Sequence, residues 1–153
     1  MIQTGGFHGT KYQYWLTDAR YDIETAEHMF ATGRWFYVLF MCQQSIEKLA
    51  KGLFGLYFDF NTIPFTHNID RLIKPIADKV PVNISKETWD FFGELSKYAV
   101  NKRYPDYKLF MSQKATQTET LRLFNRSKEA FAWLQTLKPS EPKPEDTPQR
   151  PRP

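Results

Sequence analysis

The chain has 153 residues, a net charge of +4 at pH 7 and 16% aromatic residues, which fits one domain with one hydrophobic core. Its single cysteine, Cys42, excludes an intrachain disulfide, and its apolar neighbours predict a packed rather than a reactive thiol. No apolar run reaches membrane-spanning length and no signal-peptide pattern is visible, so we expect a cytoplasmic protein. The mild positive charge permits an anionic partner such as a nucleotide or RNA without requiring one.

The first long helix is predicted over 12–31, after an N-terminal extension at 1–11. Thr10 and Gln13 match a capping box at its start, and Gly33 provides a stop. An apolar stripe at helical spacing is the predicted buried face: Trp15, Leu16, Ala19, Ile23, Ala26 and Phe30. Two carboxylates one turn apart could share a cation or repel each other, and we interpret them as exposed surface charge: Asp18 and Asp22.

The second helix is predicted from Trp35 to Phe58, because no proline interrupts this stretch and apolar residues recur at helical spacing. It begins directly after the glycine, so the two helices should pack as an antiparallel αα-hairpin. A polar stripe follows one face of the second helix: Gln43, Gln44, Glu47, Lys48 and Lys51. The adjacent glutamines predict a specified polar contact, with another helix or with a ligand, although composition fits a solvated face equally well.

A connection with several prolines follows, and its segment 68–79 is predicted to hold a short helix. His67 precedes that helix, and its expected role is to orient the loop through a side-chain hydrogen bond. A third long helix is predicted from Ser85 to Asn101, with Pro105 ending it. A fourth should begin near a second capping box and carry these residues inward: Leu121, Phe124, Phe131, Leu134 and Leu137.

These elements predict an all-α, up-and-down bundle of four or five helices over 12–138. The helices are rich in aromatic residues and should expose an apolar surface, which predicts a symmetric homodimer. The segment 139–153 combines prolines with charges and has no aliphatic or aromatic side chain, so we expect a disordered tail. No metal or cofactor is predicted, since neither a zinc-ligand spacing nor a glycine-rich phosphate loop is present.

The segment 101–108 is the strongest candidate for a binding site. It joins three cations, Lys102, Arg103 and Lys108, to Tyr104 and Tyr107 at a predicted helix break. Arginine offers a planar fork for phosphate, and a tyrosine ring can stack on a base. The alternative is structural: the guanidinium pairs with a carboxylate and fixes the loop, the candidates being Asp106 and Glu47.

Several motifs, in this order, resemble the HEPN domain family (higher eukaryotes and prokaryotes nucleotide-binding). They are the Tyr37…Phe40-Met41-Cys42-Gln43-Gln44-Ser45-Ile46-Glu47-Lys48 segment, Thr66-His67-Asn68-Ile69, and Arg103-Tyr104-Pro105-Asp106. The resemblance covers about 12–138 and implies a helical bundle, usually a homodimer. It also implies a partner, a minimal nucleotidyltransferase of the kind found in toxin–antitoxin pairs.

Many members of this family are metal-independent ribonucleases that use an arginine followed four to six residues later by a histidine. Arg103 matches the arginine, but 107–109 hold no histidine and none follows His67. The resemblance therefore implies a subgroup with the Arg-Tyr-Pro-Asp loop and without the nuclease motif. Because RNA cleavage near neutral pH favours an imidazole as acid and base, we expect a non-catalytic module.

This module would bind a nucleotide, RNA phosphate or the partner nucleotidyltransferase through these residues: Arg103, Tyr104, Asp106, Lys102, Lys108, Gln43, Gln44, Glu47 and Lys48. The competing role for the residues of the second helix is hydrogen bonding between helices. The alternative function is a metal-independent ribonuclease toxin that uses Arg103 together with His67 or a tyrosine.

Overall fold

The computed structural model describes residues 4–99 and 105–140, with side chains from residue 9 onward. Within these ranges the chain forms helices and no strand, so the predicted all-α bundle is confirmed. The elements are α1 (Thr4–Ala31), α2 (Trp35–Tyr57), a short 3-10 helix (Phe60–Thr62), α3 (Ile69–Ala77), α4 (Lys86–Ser96), α5 (Pro105–Lys114) and α6 (Gln117–Gln135).

Helix α1 begins earlier than its capping signal predicts. It is already helical at Thr4, and Thr10 lies inside it, so the expected capping box does not mark the N-terminus. The predicted C-terminus is confirmed. Gly33 has φ of 74°, its N–H donates to the carbonyl of Phe30, and the N–H of Arg34 donates to the carbonyl of Met29. These two hydrogen bonds form a Schellman motif, in which glycine takes the left-handed conformation without steric cost.

Helix α2 is the central helix of the bundle and contacts every other helix of the described chain. Its buried residues lie on several faces, and Cys42 is fully enclosed among them. Burial raises the pKa of the Cys42 thiol to about 12, which agrees with the predicted packed thiol. At Gly52 the backbones of α1 and α2 approach closely, because a Cβ there would lie 2.8 Å from Cβ of Trp15.

Helix α4 is shorter than predicted. It ends at Ser96, and the N–H groups of Tyr98 and Ala99 donate to carbonyls three residues back, which closes the helix with tight turns. Pro105 does not terminate α4 but begins α5, a helix that the sequence pattern did not reveal. Proline is well suited to the first helical position, where the backbone N–H has no partner within the helix.

Helix α6 begins as predicted, with Thr116 Oγ1 accepting a hydrogen bond from the N–H of Glu119. Its buried stripe is Thr120, Leu123, Phe124, Ser127, Ala130, Phe131 and Leu134. The prediction that Leu121 points inward is wrong, because this position lies roughly a third of a turn from the centre of that stripe.

None of the helices in the described part of the chain is both long and apolar enough to cross a membrane. Over the same residues, no cluster of three or more His, Cys, Asp or Glu side chains is arranged to hold a metal ion. The proline-rich segment expected to be disordered lies, from 141 onward, outside the described residues.

Candidate ligand-binding site on the second helix

The polar stripe of α2 is not a solvated helix face. Gln43 and Glu47 are buried, at 0% and 4% exposure, so that interpretation is wrong for both residues. A buried amide or carboxylate must have hydrogen-bond partners, since leaving it unsatisfied costs about 1–3 kcal/mol. We therefore identified the hydrogen-bond partners of both side chains.

Glu47 is the acceptor at the centre of a hydrogen-bonded cluster. Its Oε1 accepts from Nδ1 of His67 at 2.8 Å and from Nε2 of Gln43 at 3.1 Å, and its Oε2 lies 3.2 Å from Nζ of Lys51. The amide of Gln43 also donates to the backbone carbonyl of His67 at 3.1 Å, and Gln44 donates to Gln43 Oε1 at 2.7 Å. We call these five residues the Glu47 cluster.

The cluster holds the connection before α3 against α2 through both the backbone and the side chain of His67. This contact has the geometry expected for a histidine that orients its loop. The imidazole remains 66% exposed, whereas the carboxylate beneath it is almost fully buried. The cluster thus reaches from the interior of the bundle to its surface, where the imidazole of His67 is its most exposed side chain.

The C-terminal end of α4 lies beside this connection. Ser96 Oγ accepts a hydrogen bond from the N–H of Ile69 at 3.1 Å, two residues beyond His67. The ring of Tyr98 packs near Phe36 at the start of α2, with 6.2 Å between ring centroids. The last residues described before 100–104 therefore contact the N-terminal half of α2.

The residues described after 104 contact the same part of α2 through Lys108. Lys108 Nζ lies 2.5 Å from Oη of Tyr37, and Tyr107 Oη donates to the carbonyl of Lys97 at 2.7 Å. Tyr37 precedes Gln43 by six residues, which is about 9 Å along a helix axis. Asp106 is exposed in the first turn of α5. Three predicted site residues lie outside the described residues: Lys102, Arg103 and Tyr104.

Lys48 lies on a different side of α2 and contacts α1. Its Nζ is 2.7 Å from Asp22 and 3.1 Å from Asp18, so the two carboxylates share one cation. Asp22 is buried, which contradicts its interpretation as exposed surface charge. Burial raises the pKa of the Asp22 carboxyl, and the neighbouring ammonium only partly counters this. Burial would lower the pKa of Lys48, but hydrogen bonds to the two carboxylates raise it.

Two surface cavities lie away from the Glu47 cluster. One, of about 300 Å³, lies between the start of α4 and α6; the other, of about 350 Å³, lies between α4, α5 and the start of α6. Neither is lined by Gln43, Glu47 or His67. These two cavities therefore do not coincide with the Glu47 cluster.

Two features of this region were not found by sequence reasoning. Ser45 Oγ donates to the carbonyl of Ala19 at 2.7 Å and joins α1 to α2. Phe65 is fully exposed beside His67. A signal for Phe65 was present, since this aromatic residue lies in a proline-containing connection and belongs to no helical stripe.

Comparisons with known proteins agree with this architecture. TT1696 from Thermus thermophilus is similar to the chain with a TM-score of 0.67 and 21% identity, over 83% of this chain and 98% of that one. ST0689, an archaeal HEPN homologue, is similar with a TM-score of 0.63 and 22% identity, over 82% and 96%. At these sequence identities, the similarity shows that this chain has the same fold as the two proteins. No curated protein sequence matches the chain significantly. The sequence profile of the HEPN domain matches residues 12–137, and the chain is a member of the HEPN domain family.

Proposed function

We propose that the protein is a cytoplasmic, non-catalytic HEPN module that binds a nucleotide or RNA through phosphate. The observation that carries the proposal is the Glu47 cluster, a buried polar network that opens at an exposed imidazole. A hydrogen bond that only joins two helices can be wholly buried, whereas a ligand site must have a side chain that is accessible from solvent. Tyr98, before 100–104, and Lys108, after it, contact the same helix, α2.

In this proposal the phosphate meets Arg103, Lys102 and Lys108, and the ring of Tyr104 stacks on a base. In the Glu47 cluster, the amide of Gln43 holds the connection before α3 against α2. Lys48 has a different role, because both of its carboxylate partners belong to α1.

A binding experiment with two arginine variants tests this function. Fluorescence anisotropy with a labelled single-stranded RNA should show saturable binding that Arg103→Ala weakens by about tenfold or more, as loss of a charge-assisted contact implies. Arg20→Ala on α1 is the matched control and should leave the dissociation constant unchanged. An RNA affinity that is equal in wild type and Arg103→Ala would reject the assignment.

We also propose a symmetric dimer and a partner nucleotidyltransferase, as in toxin–antitoxin pairs. Exposed apolar side chains on α5 and α6 support a protein interface: Leu109, Phe110 and Leu121. Sedimentation velocity at micromolar concentration should give about twice the mass of the 18.1 kDa chain. A single monomeric species under these conditions would contradict the dimer.

A second candidate function, a metal-independent ribonuclease, is favoured by one observation. The exposed His67 is hydrogen-bonded through Nδ1 to a buried carboxylate, which is a suitable arrangement for a general base. Incubation with RNA in excess chelator separates the two functions. Cleavage that is lost in both Arg103→Ala and His67→Gln supports the nuclease, whereas intact RNA with saturable binding supports the module.

A further inference from the structure

Phe65 is a fully exposed aromatic side chain on a well-held backbone. The N–H of Thr66 donates to the carbonyl of Pro64 at 3.0 Å, and the N–H of Asn68 donates to Thr66 Oγ1 at 3.1 Å. The next carbonyl, that of His67, accepts from a buried amide of α2. The ring therefore projects from a fixed loop, although aromatic residues normally bury most of their surface.

The tautomer of His67 follows from its partner. Glu47 accepts at both oxygens from groups that can only donate, at Oε1 from the Gln43 amide and at Oε2 from Lys51, so it is also the acceptor toward His67. The imidazole must then carry its proton on Nδ1. In the neutral ring this leaves the lone pair on Nε2, on the exposed side of the ring, where it can accept a hydrogen bond from a ligand.

The two side chains are close enough to meet one nucleotide. Phe65 and His67 are two residues apart, so their Cα atoms are separated by at most about 7 Å. A base stacked on the phenyl ring would keep its ribose within reach of the imidazole. The charge of Glu47 is buried and paired with Lys51, so it does not repel a phosphate at the surface.

We propose that Phe65 and His67 form a ribose-reading edge, in which the ring stacks on an unpaired base and Nε2 accepts a hydrogen bond from the ribose 2′-hydroxyl. This inference rests on the proposed RNA-binding function and adds the part of the ligand that is recognised. The 2′-hydroxyl is the group by which a protein distinguishes RNA from DNA at one position. The ligand is a ribonucleotide, either free or within a single strand.

The test measures the binding of two fluorescein-labelled adenosine hexamers, one of RNA and one of DNA. Unlabelled AMP is the competitor. Wild type should prefer RNA, by about two- to tenfold for one hydrogen bond. His67→Ala should remove this preference by weakening RNA binding alone. Phe65→Ala should weaken RNA and DNA together by about five-fold or more, since stacking is indifferent to the sugar. Competition by AMP at the same affinity would identify a free nucleotide, and competition by the hexamer alone would identify a strand.

Matched controls on α1 are Tyr21→Ala and His28→Ala, which remove another exposed aromatic residue and another exposed histidine. Neither should change any dissociation constant. Long-range ¹H–¹⁵N spectra of the full chain should show His67 protonated on Nδ1. They report the tautomer without a ligand, and a proton on Nε2 of the neutral ring would overturn the proposal.

The outcomes separate this inference from the proposed function. If Arg103→Ala weakens binding but Phe65→Ala and His67→Ala do not, the module stands and the ribose-reading edge is rejected. An equal loss of RNA and DNA affinity in His67→Ala would likewise reject it. If wild type binds neither oligomer nor AMP, both proposals fail. If Phe65→Ala changes the sedimentation coefficient but not RNA binding, the edge is a protein interface instead.

Discussion

Oε1 of Glu47 and Nδ1 of His67 lie 2.8 Å apart, although the two residues are separated by twenty positions in sequence. The carboxylate is buried in α2, whereas the imidazole is exposed on the connection before α3. This one hydrogen bond therefore joins the interior of the bundle to the surface at which we propose that RNA binds.

Glu47→Met should lower the free energy of unfolding by about 2–3 kcal/mol, because Gln43 and Lys51 would lose their buried acceptor. Urea denaturation followed by circular dichroism measures this difference. Glu27→Met, at an exposed position of α1, is the control and should change stability by less than about 0.5 kcal/mol. A Glu47→Met protein as stable as wild type would show that the cluster is not a structural support.

Two glycine-to-alanine variants should have effects of opposite sign. Gly93→Ala in α4 should stabilise the protein by about 0.5–1 kcal/mol, because its Cβ would have only Asp70 Oδ2 near it, at 3.9 Å. In Gly52→Ala the same helical gain is outweighed by overpacking of about 1–3 kcal/mol, because Cβ of Trp15 lies at 2.8 Å and moves only with its backbone. Thermal unfolding measures both variants. A higher melting temperature for Gly52→Ala would mean that α1 and α2 separate easily.

Cys42 should be unreactive in the folded protein. Burial raises the pKa of this thiol from 9.0 to about 12, which lowers the thiolate population at pH 8 by about a thousandfold before access is considered. Labelling with an aromatic disulfide reagent should be negligible in buffer and rapid in guanidinium chloride. Cys42→Ser supplies the blank, since the chain has no other cysteine. Rapid labelling without denaturant would contradict the buried location.

Acid should weaken the ion pair between Glu119 and Arg122, which lie one turn apart on α6. Arg122 donates to Glu119 and also to Glu94 at 2.6 Å, and its hydrogen bond lowers the pKa of the Glu119 carboxyl below 4.5. A lowered pKa in the folded state contributes stability above the unfolded value, and this is lost as pH falls through the folded pKa.

Unfolding free energies should therefore depend less on pH below 4.5 in Glu119→Gln than in wild type. Because the pair is largely exposed, the difference should be small. Glu129→Gln, on the same helix, should retain the wild-type slope. Identical slopes in Glu119→Gln and wild type would contradict a lowered pKa.

The all-α fold and the αα-hairpin were predictable because helical spacing and a glycine stop are local signals. The same reasoning failed at Pro105, since a proline equally suits the end of one helix and the first turn of the next. It also left the polar stripe of α2 undecided. Burial of Gln43 depends on the connection that covers it, and that contact joins residues far apart in sequence. The ion pair between Lys48 and Asp22 of α1 could not be predicted for the same reason.

The most extensive helix contact in the described chain, between α1 and α2, is also the most local, because only three residues separate these helices. Closing so short a connection costs little chain entropy, so this hairpin can assemble before the distant contacts with α6 form. We therefore expect its amide hydrogens to exchange slowest with solvent, and the Schellman turn at Gly33 to be an early-ordered point of the folding pathway.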